Sequence, residues 1–171
     1  MRNIESKFRC SEHDAVAARA IAAGAQDVGL LRQRDQFYGV SHGRLKLRTI
    51  NDGRSELIAY DREDNPGARV SDYALYPTSD ASALDDVLGR ALERTGRLDK
   101  TRRLLIHGNT RIHLDDVAGL GCFVELETVV DKQSEADAEA EHHDVVVLLG
   151  LADAERVAVA YIDLIGRNDT T

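Results

Sequence analysis

The sequence predicts an α+β fold, in which about eight antiparallel strands lay one face against packed helices. Two observations carry the prediction. Short stretches alternate charged with apolar residues and are separated by Gly-containing turn signals, and four other segments repeat apolar residues at helical spacing. Their order is strand, helix, four strands, helix, three strands, then helices, which leaves little room for the long crossovers of a parallel sheet. At 171 residues the chain suits one domain with one sizeable core, expected over 1–166 with a frayed tail at 167–171.

In the first strand Asn3, Glu5, Lys7 and Arg9 share a face opposite Ile4 and Phe8. A helix follows over about Glu12 to Ala23. Ser11 and Asp14 resemble a capping box, Val16, Ala17, Ala20 and Ile21 form a stripe, and Gly24 can end the helix. In the next strands Arg44, Lys46 and Arg48 alternate with Leu45 and Leu47, and Glu56, Tyr60 and Arg62 alternate with Leu57 and Ala59. Gly43 and Asp52-Gly53 mark turns, and Asp61 to Arg69, with Asn65-Pro66-Gly67, reads as an exposed loop. Leu84, Val87, Leu88, Ala91 and Leu92 make a second helical stripe before Gly96. Lys100 and Arg102 then share a face, as do Arg111, His113 and Asp115 (opposite Ile112 and Leu114) and Glu125 and Glu127 (opposite Val124 and Leu126). Turns fall at Gly108-Asn109 and at Gly119 and Gly121. Gln133 to Leu149 begins as an acidic helix, but its run from Val145 to Leu149 has strand propensity, and periodicity leaves both open. A closing helix is expected over Asp153 to Ile165, with Val157, Tyr161, Leu164 and Ile165 on one face.

Composition removes several classes of function. The net charge of -8 opposes binding to a nucleic-acid duplex. No apolar run approaches the roughly 20 residues that cross a bilayer, and the N-terminus lacks a secretory apolar stretch, so a soluble cytoplasmic protein is expected. Cys10 and Cys122 are too few for a disulfide framework and read as small buried hydrophobes or inert thiols. His142-His143 and the acids Glu135, Asp137, Glu139 and Glu141 read as a solvated helix face.

The alternating faces collect positive charge even though the chain is acidic. Lys7, Arg9, Arg44, Lys46, Arg48, Arg62, Arg69, Lys100, Arg102 and Arg111 outnumber Glu5, Asp35, Glu56, Asp115, Glu125 and Glu127 there. Two architectures satisfy the pattern. One is a sheet with its polar face in water. The other is a barrel that turns the ionic face into a lumen and the apolar face toward outer helices. In such a lumen Lys and Arg suit polyphosphate oxygens, and clustered carboxylates suit Mg²⁺ or Mn²⁺. Tyr60 and Tyr73 are candidates for the wall.

Several stretches, in order, are similar to a known family. They are Asn3-Ile4-Glu5-Ser6-Lys7, Gly43-Arg44-Leu45-Lys46-Leu47-Arg48, Glu56 to Arg62, Arg111-Ile112-His113-Leu114-Asp115-Asp116-Val117, Gly119 to Glu127, and Tyr161-Ile162-Asp163-Leu164. Together they resemble the CYTH domain, or triphosphate tunnel metalloenzymes, which include class IV adenylyl cyclases, thiamine triphosphatases and inorganic triphosphatases. The resemblance implies an eight-stranded antiparallel β-barrel, or tunnel, with helices outside, acting on a triphosphate-containing small molecule with Mg²⁺ or Mn²⁺. It implies metal ligands at Glu5, Asp115, Glu125 and Glu127. Phosphate contacts fall to Lys7, Arg9, Arg44, Lys46, Arg48, Arg62, Lys100, Arg102 and Arg111, and catalytic roles to Lys7, Arg62, His113 and Glu125. His113 reads as an acid/base group, a phosphate ligand or a polar wall residue. A homodimer is expected by the same analogy. The departure is Asn3, which stands where the family motif has its first Glu and contributes an amide instead of a charge. Several readings stay open: hydrolysis, cyclisation of ATP, binding of a polyphosphate or other anion, or a tunnel turned to non-phosphate acid/base chemistry on an anionic small molecule.

Overall fold

The computed structural model describes residues 1–51, 53–62, 68–131 and 133–168. Asp52 of the expected turn, the Asn65-Pro66-Gly67 loop centre and the end of the tail lie outside the described residues, as do the side chains of Arg62 and Arg69.

The elements follow the predicted order: β1 (Arg2–Arg9), α1 (His13–Ala22), β2 (Gln26–Tyr38), β3 (Arg44–Ile50), β4 (Ser55–Arg62), β5 (Arg69–Thr78), α2 (Ala81–Ala91), β6 (Arg94–His107), β7 (Thr110–Val117), β8 (Gly121–Val129), α3 (Glu135–Leu148) and α4 (Tyr161–Asn168). The strands close into an antiparallel barrel in the order β1-β5-β4-β3-β2-β6-β7-β8. Of the two architectures compatible with the alternation, the chain therefore adopts the barrel. Closure depends on three pairings between strands distant in sequence: β1 with β5, β1 with β8, and β2 with β6.

Apolar residues such as Phe8, Ile112 and Val124 point outward, so the main core lies between barrel and helices, whereas Leu31, Phe37, Ile50, Ile58 and Leu98 line the cavity. Phe8, Leu105, Ile112, Leu114, Val124 and Leu126 pack with Val16, Ala17 and Ala20 of α1 and with Val145, Val146 and Leu149 of α3. A second cluster joins Phe37, Leu98, Val117 and Phe123 to Val157 and Tyr161. Tight turns hold the strand ends. At Gly43, where φ is +63°, a Cβ would sit 2.7 Å from the Tyr60 carbonyl oxygen, so glycine is required on both conformational and steric grounds.

Three local expectations are corrected, and one left open is resolved. Helix α1 starts after Glu12 with no side-chain cap, so the Ser11/Asp14 box does not form. The choice left open at the Val145–Leu149 run falls to helix up to Leu148, because Val145, Val146 and Leu149 fill the core beneath α3. The closing helix begins only at Tyr161, because residues 155–157 instead pair with β1: Arg9 N–H donates to the Glu155 carbonyl and Val157 N–H to the Lys7 carbonyl. The cysteines are half-exposed neighbours rather than buried, with Cys10 N–H donating to the Cys122 carbonyl at 3.2 Å.

His142 is also misplaced by its acidic sequence surroundings. It is buried against the outer wall, on the α3 stripe that includes Ala138, Val145, Val146 and Leu149. Its Nε2 lies 2.7 Å from Ser6 Oγ and its Nδ1 2.9 Å from Thr128 Oγ1, which in turn meets Thr110 Oγ1 at 2.8 Å. Thr110 donates to Glu141 at 2.9 Å. Because a carboxylate only accepts, the donors run one way, from Ser6 through a neutral, Nδ1-protonated His142 to Glu141. Burial, then the positive Arg156, pushes His142 down to about 4, which agrees with the neutral ring.

Helix α2 has a firm N-cap, the Asp80 side chain accepting from Ala83 N–H at 2.9 Å, but its apolar stripe is only partly covered and Val87 stays exposed. Among the described residues no helix is long and apolar enough to cross a membrane.

Candidate functional site

The barrel encloses a cavity of about 400 Å³, within the ~300–1,000 Å³ range of small-ligand sites. Residues two apart on each strand line it: Asn3, Glu5 and Lys7 from β1, Gln33 and Asp35 from β2, Lys46 and Arg48 from β3, Lys100 and Arg102 from β6, Arg111 and His113 from β7, and Glu125 and Glu127 from β8. Tyr60 and Tyr73 complete the wall, and Ala160 and Tyr161 close it where β1 ends.

Two buried carboxylates organise the cations. On one side Asp35 accepts from Arg48 Nε and Nη2, both at 2.7 Å, and from Lys46 Nζ at 3.0 Å. Burial works against the Asp35 anion, but Arg48 and Lys46 outweigh it and hold the carboxyl far below its ordinary range. Burial and the neighbouring Arg48 bring Lys46 down to about 8. On the other side Asp115, wholly buried, accepts from Arg102 Nε and Nη2, both at 2.6 Å, from Lys100 Nζ at 3.1 Å and from the Tyr161 hydroxyl at 3.0 Å. Its carboxyl too is held down by Arg102 and Lys100 against burial.

Arg102 also donates to Glu125 at 2.7 Å, and Lys7 lies 3.6 Å from the other Glu125 oxygen. The Lys7 ammonium donates to the Val159 carbonyl and sits 3.9 Å over the Tyr161 ring. Arg111 meets Glu127 at 3.4 Å. Register brings these groups together: His113 lies opposite Glu125, Arg111 opposite Glu127, and on the other edge of β8 Lys7 opposite Glu125 and Glu5 opposite Glu127. His113 Nδ1 is 3.8 Å from one oxygen of each of Glu125 and Glu127. Burial, then the positive Arg102, lowers the His113 pKa. Among the described residues three buried side-chain atoms, Asn3 Oδ1, Gln33 Oε1 and His113 Nδ1, have no hydrogen-bond partner.

The expected site residues therefore separate into groups. Glu5, Lys7, Lys46, Arg48, Lys100, Arg102, Arg111, His113, Glu125 and Glu127 converge on one cavity. Arg9 does not. It is exposed beyond the closed end, opposite Phe123 in register and 3.7 Å from Glu155, because β1 passes under residues 155–157 before reaching it. Arg44 stands outside the main cavity and donates to Asp163 of α4 at 2.9 Å. Asp115 shares the lumen face of β7 with Arg111 and His113 but does not line the cavity, because Arg102, Lys100 and Tyr161 cover it and engage both oxygens. From sequence Tyr161 is expected only on a helix face. Its hydroxyl is within reach of Asp115 because α4 starts at this very residue, a boundary its periodicity did not mark.

The family model of the CYTH domain matches residues 1–161. The chain belongs to the CYTH family. No curated protein matches this CYTH chain in sequence. Among solved structures it is similar to the PH1012 protein of Pyrococcus horikoshii OT3, with 22% identity, TM-score 0.84, and coverage of 95% of this chain and 98% of that one. It is also similar to a Pyrococcus furiosus conserved hypothetical protein, with 18% identity, TM-score 0.83, and coverage of 95% and 99%. A Hippeastrum protein described as having a dominant triphosphatase activity shares 12% identity at TM-score 0.63, with coverage of 98% and 95%. At these identities the likeness is one of fold.

The donor set of this CYTH cavity fits a divalent cation. Glu125 and Glu127 offer hard oxygens, Glu5 is opposite Glu127, and Asn3 Oδ1 is a buried oxygen without a partner.

Proposed function

We propose that this CYTH protein hydrolyses a triphosphate-bearing small molecule with the help of a divalent ion, Mg²⁺ or Mn²⁺. The observation that carries the reading is the opposition, within one closed lumen, of carboxylate-anchored cations on β3 and β6 to the Glu5, Glu125 and Glu127 wall. The triphosphatase activity described for the Hippeastrum relative supports it.

Each guanidinium has five donors in a rigid fork. Arg48 gives two to Asp35, and Arg102 gives three to Asp115 and Glu125, so both retain donors for phosphate oxygens. Asp35 and Asp115 in this reading are positioning residues. They fix the cation heads before substrate arrives, so little reorganisation accompanies the build-up of charge on the transferred phosphoryl group. Lys7, held by Val159 and Tyr161, adds a fixed positive charge beside Glu125. A divalent ion bound by Glu5, Glu125 and Glu127 would neutralise phosphate oxygens and help the leaving group depart. Phosphoryl transfer of this loose kind asks for positioning more than for a strong base, which suits a Glu125 whose carboxyl Lys7 and Arg102 keep well below its usual range against burial.

The test is a panel of tripolyphosphate, thiamine triphosphate and ATP, with and without Mg²⁺ or Mn²⁺, with products identified. Metal-dependent release of phosphate is expected. Cyclic AMP with pyrophosphate would assign cyclisation instead, and absence of any turnover would overturn the enzymatic reading. Asn3 favours a second reading, anion binding without catalysis, because an uncharged amide weakens a cation cluster while leaving the basic array intact. Salt-sensitive tripolyphosphate binding without turnover would establish it.

A further inference from the structure

We infer that His113 supplies a nitrogen ligand to a divalent-ion site completed by Glu125 and Glu127, and that this nitrogen biases the site toward a first-row transition ion, Mn²⁺ rather than Mg²⁺. The inference rests on the reading of the lumen as a metal-assisted phosphate site. Its own support is an unsatisfied atom.

The His113 side chain is 5% exposed, and its Nδ1 has no hydrogen-bond partner. Buried polar atoms are nearly always paired, so one left unpaired at the mouth of two carboxylates calls for a ligand. The distances agree. Nδ1 is 3.8 Å from Glu125 Oε2 and 3.8 Å from Glu127 Oε1, too far for hydrogen bonds, and one donor atom from each residue falls within a 4.8 Å set. Metal bonds of about 2.1 Å require donor separations of roughly 3–3.5 Å, which small side-chain rotations reach from here. The arrangement is also fixed by backbone. His113 and Glu125 are direct cross-strand partners, and Glu127 is two residues further along the same lumen face of β8.

The ligand type then selects the ion. Mg²⁺ takes oxygen ligands and gives up its waters reluctantly, whereas imidazole suits transition ions and Mn²⁺ accepts both nitrogen and carboxylate oxygen. Charge sets a second condition. Glu125 and Glu127 are already countered by Arg102, Lys7 and Arg111, so a dication enters most readily together with an anionic ligand.

The deciding measurement is pulsed electron paramagnetic resonance of the full-length protein loaded with Mn²⁺, with and without tripolyphosphate. Modulation from a directly bound ¹⁴N nucleus is expected, changing to the ¹⁵N pattern in protein labelled with ¹⁵N-histidine and disappearing in His113→Gln. Calorimetric titration should give Mn²⁺ an affinity at least about tenfold above that for Mg²⁺ in the native protein, a ratio that collapses in His113→Gln. Bound Mn²⁺ without nitrogen modulation, no bound Mn²⁺ at all, or a ratio unchanged by the substitution overturns the inference. Should the variant not fold, the labelled native protein decides alone. Tripolyphosphate binding without metal reports separately on the phosphate reading: present beside an oxygen-only Mn²⁺ spectrum, it leaves that reading standing while the histidine ligand falls.

Discussion

Replacing Asp115 by Asn removes one negative charge and one acceptor oxygen from the most enclosed ion cluster of the wall while preserving shape. Four donor contacts converge on that carboxylate, at 2.6, 2.6, 3.1 and 3.0 Å, and three come from cations. An amide can serve at most part of them, and Arg102 and Lys100 would be left buried with Glu125 as their nearest remaining anion. Removing one member of such a buried cluster costs about 3–5 kcal/mol, against a total stability of ~5–15 kcal/mol for a domain. With a urea m-value near 2 kcal/mol/M, the denaturation midpoint at pH 7 should fall by about 1.5–2.5 M. The pH dependence has a definite sign. The folded-state pKa of Asp115 is depressed, so its contribution is complete above the unfolded carboxyl value of ~3.9 and is lost as pH falls toward the folded value. The gap between native and Asp115→Asn proteins should therefore stay level from pH 8 to about 5 and close only in acid. Urea titrations at five pH values decide the matter. A gap under about 1 kcal/mol at pH 7, or one that changes between pH 6 and 8, would refute the claim that Asp115 is an ionised anchor.

Other outcomes follow from the same groups. Arg48→Met should weaken metal-free tripolyphosphate binding by about tenfold or more, since an ion-assisted contact is worth roughly 1.5–3 kcal/mol, and calorimetry should show a shallower salt dependence than in the native protein. Because Lys46 titrates near 8, tripolyphosphate affinity should decline as pH rises from 7 to 9, and Lys46→Arg should flatten that decline. His142 is neutral when folded, with its pKa moved down to about 4; its folded state gains protons less readily than the unfolded chain, so native stability should drop between pH 6.5 and 4 by up to roughly 3 kcal/mol, and His142→Gln should lessen the drop. Ile112→Ala, in the fully buried outer cluster, should cost about 2–5 kcal/mol by urea denaturation without moving any lumen charge.

Period-two alternation made both faces of the wall legible, down to Lys46 and Arg48 on β3 and Glu125 and Glu127 on β8, because the pleat forces alternate residues to opposite sides. It could not distinguish an open sheet from a barrel, since closure rests on pairings such as Asn3 with Val129 that lie far apart in the chain. The start of α4 was hidden for a related reason: residues 155–157 have acceptable helical spacing but give their hydrogen bonds to β1. His142 could have been placed from sequence. It falls on the stripe of Ala138, Val145 and Val146, continued by Leu149 at the helix cap, whereas the acids around it in sequence occupy the other face of α3. The roles of Asp35 and Asp115 as anchors needed coordinates, because alternation gives the face a carboxylate occupies but not which cations it holds.

The seam of β1 bears on how the protein comes into being. This first strand has β5 on one edge and β8 on the other, and β8 begins at Gly121. At synthesis rates of ~5–20 residues per second, the second partner emerges roughly 6–25 s after the first strand leaves the ribosome. Until then the basic strands exist without an enclosing wall, and Glu125 and Glu127 have not been made. A nascent chain stopped before Gly121 would have Asp35 for Lys46 and Arg48 and Asp115 for Lys100 but lack the acids of β8, and one edge of β1 would be open to pairing with another chain. The last strand to be translated both seals that edge and delivers two of the cavity's acids, so aggregation protection and assembly of the site arrive in the same late step.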